Sequence, residues 1–167
     1  MNRLVRNQIL AMYAEDQDMR ASDCFDSSVD ERNIKKLKSI INKYGWPTYD
    51  SVGPTTAKWA WLLVQHADFD VKFQIKCLTL MKNAVKRNQA RKEDLAYLTD
   101  RVLINTGKKQ LYGTQFYIDE KGKFGPRPIN NQKNLDARRK KMGLPPFNQY
   151  KQHMIALQSK QPSQLSR

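Results

Sequence analysis

The spacing of the apolar residues limits this chain to a mostly helical fold. Over the first two thirds of the chain they recur every three or four positions, which gathers them on one face of an α-helix. This periodicity predicts five helices, at about 2–20, 31–45, 54–66, 71–87 and 92–105. Pro54, and Asp30 and Asp70 as N-caps, are typical of helix starts, and Gly45 and Gly107 are typical of helix ends.

The pattern changes after the fifth helix. The runs TQFYID (114–119) and KFGPRPI (123–129) flank a turn that contains Gly122 and predict a β-hairpin. Two further helices are predicted at about 134–142 and 146–157. The predicted fold is therefore mostly α, a single-domain, bundle-like arrangement of about six to seven helices with one short β-hairpin near 114–128. We expect the domain to cover residues 1–158, followed by a polar, flexible tail at 159–167.

The size and cysteine content are those of an ordinary soluble domain. A chain of 167 residues buries roughly 70% of its unfolded surface, which is enough for a core without disulfides. Cys24 and Cys77 do not form a disulfide framework, and Cys77 has the apolar surroundings of a core residue. The chain lacks a signal-peptide pattern and an apolar run of membrane-spanning length. We expect a cytoplasmic protein without membrane contact, and delivery as an effector stays open.

Polar residues interrupt the apolar stripes at comparable places. The stripe of the first helix leads to Asp16, with Arg20 one turn beyond it, and the stripe of the third helix leads to His66. In the fourth helix, Gln74 stands at the start of the stripe. Burying such a group costs about 1–3 kcal/mol unless it finds a hydrogen-bonding partner. Three helices that each place a polar group in this way predict a shared polar site.

His66 is the natural acid–base residue of such a site, because the reference pKa of histidine lies near neutrality. It is one of two histidines, and the other, His153, lies near the basic C-terminal end. Asp16, Asp68 or Asp100 would orient the ring in the catalytic role. The alternative for a single histidine is a structural role, in which the ring satisfies a core or capping hydrogen bond.

No motif for a metal, a cofactor or a covalent nucleophile is present. The sequence contains no His-x-x-x-His, no cysteine pair at ligand spacing, no G-x-S-x-G and no Gly-rich phosphate loop. We therefore expect a metal-independent site that uses no cofactor.

A further set of polar residues is predicted to bind substrate. In QLYGTQF (110–116), Gly113 permits a close backbone approach, so that amide and phenol groups can face a ligand. Arg101 can hold an anionic group, and at most one of Arg138 and Arg139, adjacent on a helix, should face a site. The alternatives are a surface ion pair for Arg101 and a helix-to-strand junction at 110–116. The residues predicted to bind substrate are Arg20, Trp46, Gln65, Gln74, Arg101, Gln110, Tyr112, Gln115 and Arg139.

The formal net charge of +14 indicates a second kind of function. Residues 1–34 hold four basic and seven acidic side chains, whereas residues 119–167 hold eleven basic and three acidic ones, most densely in RRKK (138–141). Such a patch is typical of nucleic-acid or polyanion binding, and the alternative is a solvated, lysine-rich surface. Aromatic residues are not interleaved with these lysines, so base stacking is not indicated.

Several short motifs resemble a known bacterial family. They are DQ..R (16–20), GWPT (45–48), VG (52–53), WLLVQHAD (61–68), FQ (73–74), AYLTDR (96–101), Q.YGTQ (110–115) and RR..MGL (138–144). From Asp16 to about Tyr150, the chain resembles an uncharacterised bacterial family that is known as a domain of unknown function. The resemblance implies no particular activity, but its motifs contain the polar residues selected above by spacing. The strong positive charge is not part of the resemblance.

Three hypotheses follow for the function. The first is a small hydrolase or group transferase, in which His66 transfers a proton and the other polar residues bind a polar or anionic small molecule or a protein substrate. The second is a module that binds nucleic acid or another polyanion through residues 119–167. The third is a protein-interaction domain, such as an inhibitor or an effector.

Overall fold

A computed structural model of the protein describes residues 1–22 and 26–160. Within these ranges the chain forms eight α-helices and one two-stranded antiparallel hairpin, which confirms the predicted mostly α fold. The chain divides into two compact units, Met1–Leu98 and Thr99–Arg167. The predicted domain boundary at 158 stays a prediction, and Cys24 and the tail at 161–167 lie outside the described residues. Among the described residues, no helix combines the length and apolar character needed to cross a membrane.

The first unit is built from helices. They are α1 (Arg3–Ala21), α2 (Ser27–Tyr44), α3 (Tyr49–Val52), α4 (Pro54–Gln65), α5 (Val71–Lys86) and the first part of α6 (Lys92–Asn105). Helices α1, α2 and α4 pack against one another, and α5 packs against α4. Their shared core includes the fully buried side chains of Ile9, Leu37 and Val64.

Local signals determine most helix ends as predicted. The Asp70 carboxylate accepts a hydrogen bond from the Phe73 N–H at 3.0 Å and caps α5, and Pro54 is the first residue of α4. Gly45 ends α2 with a φ of 76°, a conformation that glycine adopts without strain. The predicted bounds of α6 agree with the structure at both ends.

The start of α2 was predicted incorrectly. Asp26, not Asp30, is its N-cap, and its carboxylate accepts from the Ser28 N–H at 2.9 Å. The segment 22–30 contains several Asp and Ser residues, each of which can cap a helix, so local preference does not select among them. Asp30 lies instead in the first turn of the helix and is 8% exposed.

The buried face of α4 also differs from the stripe predicted by periodicity, which consists of Trp59, Leu62, Leu63 and His66. Trp59, Leu62 and His66 are only half-buried. The buried side chains are Thr56, Ala57, Ala60, Leu63, Val64 and Gln65. Small residues let helices approach closely, so the Thr56–Ala60 side of the helix faces the core and the large aromatic ring stays at its edge. There Trp59 stacks on Tyr13 of α1, with ring centroids 3.9 Å apart.

The second unit begins in α6 and contains the hairpin. Its other elements are β1 (Phe116–Ile118), β2 (Phe124–Pro126), a 3-10 turn (Gln132–Asn134), α7 (Leu135–Lys141) and α8 (Phe147–Lys160). Strands β1 and β2 are antiparallel, with Tyr117 opposite Gly125, and Gly122 turns the chain with a φ of 77°. The predicted hairpin and both C-terminal helices are thus confirmed.

Candidate functional site

Four charged or titratable residues meet in the first unit, and we call them the histidine cluster. They are Asp16 and Arg20 on α1, Asp30 on α2, and His66 at the C-cap of α4. The Asp16 carboxylate is fully buried, whereas the Arg20 and His66 side chains are 29% and 18% exposed. The cluster is therefore anchored in the core and reaches the surface on one side.

Hydrogen bonds join all four side chains. Nδ1 of His66 lies 2.7 Å from Oδ1 of Asp16, and Nε of Arg20 lies 3.2 Å from the same oxygen and 3.0 Å from Nδ1. Nη2 of Arg20 donates to both oxygens of Asp30, at 2.8 and 2.9 Å. Asp16 also accepts from the Gln17 amide at 2.7 Å. Arg20 thus bridges the two carboxylates.

These distances determine where the imidazole carries its proton. Arginine Nε–H is always a donor, so Nδ1 of His66 cannot accept from it and donate to Asp16 at the same time. Without a proton on Nδ1, its lone pair would face the carboxylate oxygen at 2.7 Å. We therefore place the proton on Nδ1, with both His66 and Arg20 donating to Asp16. Nε2 is then the acceptor nitrogen of the neutral ring, and it makes no hydrogen bond to the described residues.

The two carboxylates of the cluster differ in their electrostatics. Burial works to raise the pKa of Asp16, but the hydrogen bond from His66 and the nearby charges of His66 and Arg20 outweigh it and hold the pKa below its ordinary value. For Asp30, burial raises the pKa above its ordinary value, and Arg20 offsets this only in part. Asp16, which also contacts the ring directly, is therefore the carboxylate that can stabilise a protonated imidazole.

The same residues include a set of metal-ligand atoms. Asp16, Asp30 and His66 each offer one such atom, and the three lie within 4.8 Å of one another. Two carboxylates and an imidazole can bind a divalent cation. In this cluster Arg20 lies between them and supplies the positive charge that the carboxylates face, so a metal ion would have to displace the guanidinium.

The other residues predicted for the first unit have neighbours of their own. Gln74 is fully buried, and its Nε2 donates to the Val64 carbonyl at 3.1 Å and to Asp68 at 3.0 Å. With its amide oxygen turned inward, Gln65 accepts from Trp61 Nε1 at 3.2 Å and from the Leu98 N–H at 2.9 Å. These amides bind groups on α4, α6 and the turn before α5.

Trp46 follows the end of α2 and is 6% exposed. Its Nε1 has no hydrogen-bond partner among the described residues. Its predicted role as an aromatic wall for a substrate stays a prediction.

A second polar group surrounds residues 110–115 in the second unit, and we call it the loop cluster. Asp100 is fully buried, and its oxygens accept from the N–H groups of Leu111, Tyr112 and Thr114 at 2.7 to 3.1 Å. The Thr114 hydroxyl adds a fourth donor at 3.0 Å. Burial raises the pKa of Asp100, and these donors oppose the rise. The carboxylate thereby holds the loop in one conformation.

The glutamines of this cluster also bind backbone. Nε2 of Gln110 donates to the carbonyls of Gln115 and Arg127, and Oε1 accepts from the Gln115 N–H at 2.8 Å. Arg101 donates from Nη1 to the side chain of Gln115 at 3.0 Å. Burial raises the pKa of Tyr112. These contacts match the alternative given above, a junction whose polar side chains satisfy backbone groups, and a role in substrate binding stays a prediction.

Both arginines of the RRKK segment point to this loop, although adjacent helical residues were expected to diverge. Arg139 is fully buried, lies over the Tyr150 ring at 4.8 Å and donates to the Pro145 and Tyr112 carbonyls. Arg138 donates to the Leu111 carbonyl at 2.8 Å. Both reach the loop because a long side chain can bend back across a short helix. The prediction that at most one of them faces a substrate site stays a prediction.

The comparison with known families agrees with the resemblance in the motifs. Residues 3–158 match the model of a family of unknown function, DUF6624. The chain belongs to this family. No curated protein and no solved structure matches it. The family match covers both polar clusters, and any function assigned to this DUF6624 chain therefore rests on their geometry.

Asp30 is the cluster residue that sequence reasoning missed as a site residue. It was interpreted as a helix cap, and neither its neighbours in the chain nor a metal-binding spacing marked it. The sequence carried one signal for it: Asp30 lies one turn before the apolar stripe of α2. Asp16 and Arg20 stand in the same relation to the stripe of α1, at its other end. Of the three aspartates proposed to orient His66, Asp16 is the one that contacts its ring.

Proposed function

We propose that the protein is a hydrolase or group transferase in which His66 acts as a general base and then as a general acid. One observation carries the proposal, the 2.7 Å contact between Nδ1 of His66 and the buried carboxylate of Asp16. A carboxylate in this position selects the tautomer with an unprotonated Nε2 and stabilises the imidazolium that forms when Nε2 takes up a proton.

In this reaction, Nε2 accepts a proton from water or from a substrate hydroxyl or amine while the oxygen or nitrogen attacks an electrophilic carbonyl centre. The imidazolium then returns the proton to the leaving group. Positioned proton transfer of this kind contributes about 10²–10⁴-fold to the rate. Arg20 and Asp30 act as positioning residues, because the guanidinium holds Asp16 and is itself held by Asp30.

The charges of the histidine cluster narrow the class of substrate that was expected from the sequence. Arg20 was expected to bind an anionic group, but it donates to two carboxylates of the protein. When the imidazole is neutral, the two carboxylates and the single guanidinium give the histidine cluster a net negative charge behind the ring. We therefore propose a neutral or cationic polar group at Nε2, since a phosphate or carboxylate there would be repelled.

The test compares the two histidines of the chain. Wild-type protein is assayed on chromogenic esters, amides and glycosides, and each activity is measured again in His66→Gln and His153→Gln. His153 is exposed on α8, so its substitution is a matched control. We expect a reduction of about 10²–10⁴-fold in His66→Gln and none in the control. An activity that is equal in all three proteins would contradict the proposal.

A second measurement does not depend on a substrate. Long-range ¹H–¹⁵N spectra of the neutral imidazoles distinguish a proton on Nδ1 from a proton on Nε2. We expect Nδ1–H for His66, because Asp16 accepts from that nitrogen. A ring with its proton on Nε2 would have no free base nitrogen in the proposed position, and the mechanism would be wrong.

Polyanion binding by the C-terminal region is a second candidate. Six lysines among the described residues there are exposed, namely Lys121, Lys123, Lys133, Lys140, Lys141 and Lys160, whereas Arg138 and Arg139 bind backbone carbonyls. A binding constant for DNA that falls steeply with salt, with a slope of about −0.9 per neutralised phosphate, would support this function. A curve that is flat in salt would exclude it.

A further inference from the structure

A groove of about 580 Å³ runs between α1 and α2 in the first unit. The two helices are antiparallel, because Arg20 near the end of α1 binds Asp30 near the start of α2. Met12 and Ile40 form its buried floor. Leu4 and Tyr44 lie at the end of the groove away from the histidine cluster and are 65% and 48% exposed. The groove thus presents an apolar floor and exposed apolar side chains to solvent.

The dimensions of the groove suit a helix. Its lining residues extend from Leu4 to Met12 on α1 and from Lys36 to Tyr44 on α2, about two helical turns, or roughly 12 Å, on each wall. Ala11 and Ser39 are small and exposed, so the backbone of a third helix can approach the seam closely. Laying an apolar helix face into such a trough is a common mode of peptide recognition.

The charges on the rim indicate what kind of helix fits. Lys36 and Lys43 line the α2 wall seven residues apart, which is roughly 10 Å along the axis. One carboxylate cannot reach both, whereas a helix with two acidic residues seven positions apart can pair with each lysine. Lys36 contacts Glu15 at 3.6 Å, but both side chains are about half exposed, and such a pair contributes little.

We propose that this groove binds an amphipathic helix of a partner protein, with its apolar face on Met12 and Ile40 and two carboxylates on Lys36 and Lys43. This interaction goes beyond the proposed enzymatic function. No residue of the histidine cluster lines the groove, so either assignment can fail without the other.

The experiment uses the full chain and two synthetic helical peptides with identical apolar positions. One peptide carries glutamates seven positions apart, and the other carries lysines there. Binding is followed by the fluorescence anisotropy of a labelled peptide at low and at physiological salt. We expect the acidic peptide to bind the wild-type protein about five- to thirtyfold more tightly than the basic one.

Two variants test whether binding occurs in the groove. Lys36→Glu/Lys43→Glu should reverse the preference between the peptides, whereas Lys82→Glu/Lys86→Glu, a matched charge reversal at exposed positions of α5, should leave it unchanged. Ser39→Arg fills the groove from an exposed position and should abolish binding of both peptides, with the folded state checked by circular dichroism.

Three results would overturn the proposal. They are equal or absent binding of the two peptides by the wild-type protein, binding that survives Ser39→Arg, and a change of preference in the α5 control. Sedimentation of the wild-type protein alone tests another occupant. A dimer that Ser39→Arg converts to a monomer would show that a second copy of this chain fills the groove.

Discussion

Arg20→Met tests whether the histidine cluster is a connected network. Arg20 donates to Asp16 and Asp30, whose carboxylates are 0% and 10% exposed, and methionine keeps much of the side-chain volume without the charge. Removing one member of a buried ion pair costs about 3–5 kcal/mol. Because Arg20 itself is 29% exposed and water can reach the site, we expect a loss of about 2–4 kcal/mol in the free energy of unfolding near neutral pH.

The loss should depend on pH in a defined direction. The charge of Arg20 lowers the pKa of both carboxyls, so in the variant both folded-state pKa values rise. A carboxyl with a raised folded-state pKa contributes stability at low pH that is lost as the pH rises through that pKa. The difference between variant and wild type, measured by urea unfolding, should therefore be larger near pH 7 than near pH 4.

Two companion variants complete the test. Arg32→Met removes an exposed arginine that donates to Ser28, and it should change stability by no more than about 0.5 kcal/mol. The double variant Arg20→Met/Asp30→Asn removes the repulsion between the two carboxylates. We expect its loss in the free energy of unfolding to be smaller than the sum of the losses in Arg20→Met and Asp30→Asn. If the losses are additive, or if Arg20→Met costs as little as the control at every pH, the description of the cluster as a network is wrong.

Two further predictions concern other parts of the fold. Burial raises the pKa of Asp94 to about 6, so this carboxyl destabilises the folded state increasingly as the pH rises above its unfolded pKa. In urea unfolding, the stability of Asp94→Asn relative to wild type should therefore increase by up to about 3 kcal/mol from pH 4 to pH 7. A difference that does not depend on pH would contradict this. Gly113 has a φ of +70°, and an added Cβ would lie 2.6 Å from the Phe147 ring. Gly113→Ala should therefore reduce the free energy of unfolding by about 2–5 kcal/mol. Gly107 has a φ of +72° but no atom within 4 Å of an added Cβ, so Gly107→Ala should cost about 1–2 kcal/mol. Equal losses in the two variants would show that the contact with Phe147 is unimportant.

The helices could be predicted because their signals are local. The cap at Asp70, the helix start at Pro54, the stop at Gly45 and the turn at Gly122 each depend on a few neighbouring residues, and all are found in the structure. Errors arose where several residues had the same local preference, as at the start of α2. They also arose where packing outweighed periodicity, as on α4, whose small side chains face the core in place of Trp59.

The candidate site could be predicted only in part. Polar groups at the ends of apolar stripes drew attention to Asp16, Arg20 and His66, which contact one another in the structure, since burial of any such group requires a partner. The same reasoning could not distinguish a buried side chain whose hydrogen-bond partner belongs to a functional site from one whose partner is a backbone group. Gln74 and Gln110 are fully buried, as a site residue could be, yet both donate to backbone carbonyls.

Local features of the amino-acid sequence specify the helical class, the hairpin, most element ends and the presence of polar groups that need partners. These features follow from backbone preferences and from the periodicity of burial, which neighbouring residues set. Which of these groups pair depends on how the helices pack. Asp16, Arg20, Asp30 and His66 come from three helices and are separated by up to 50 positions, so their contacts depend on helix packing, and no local preference encodes that.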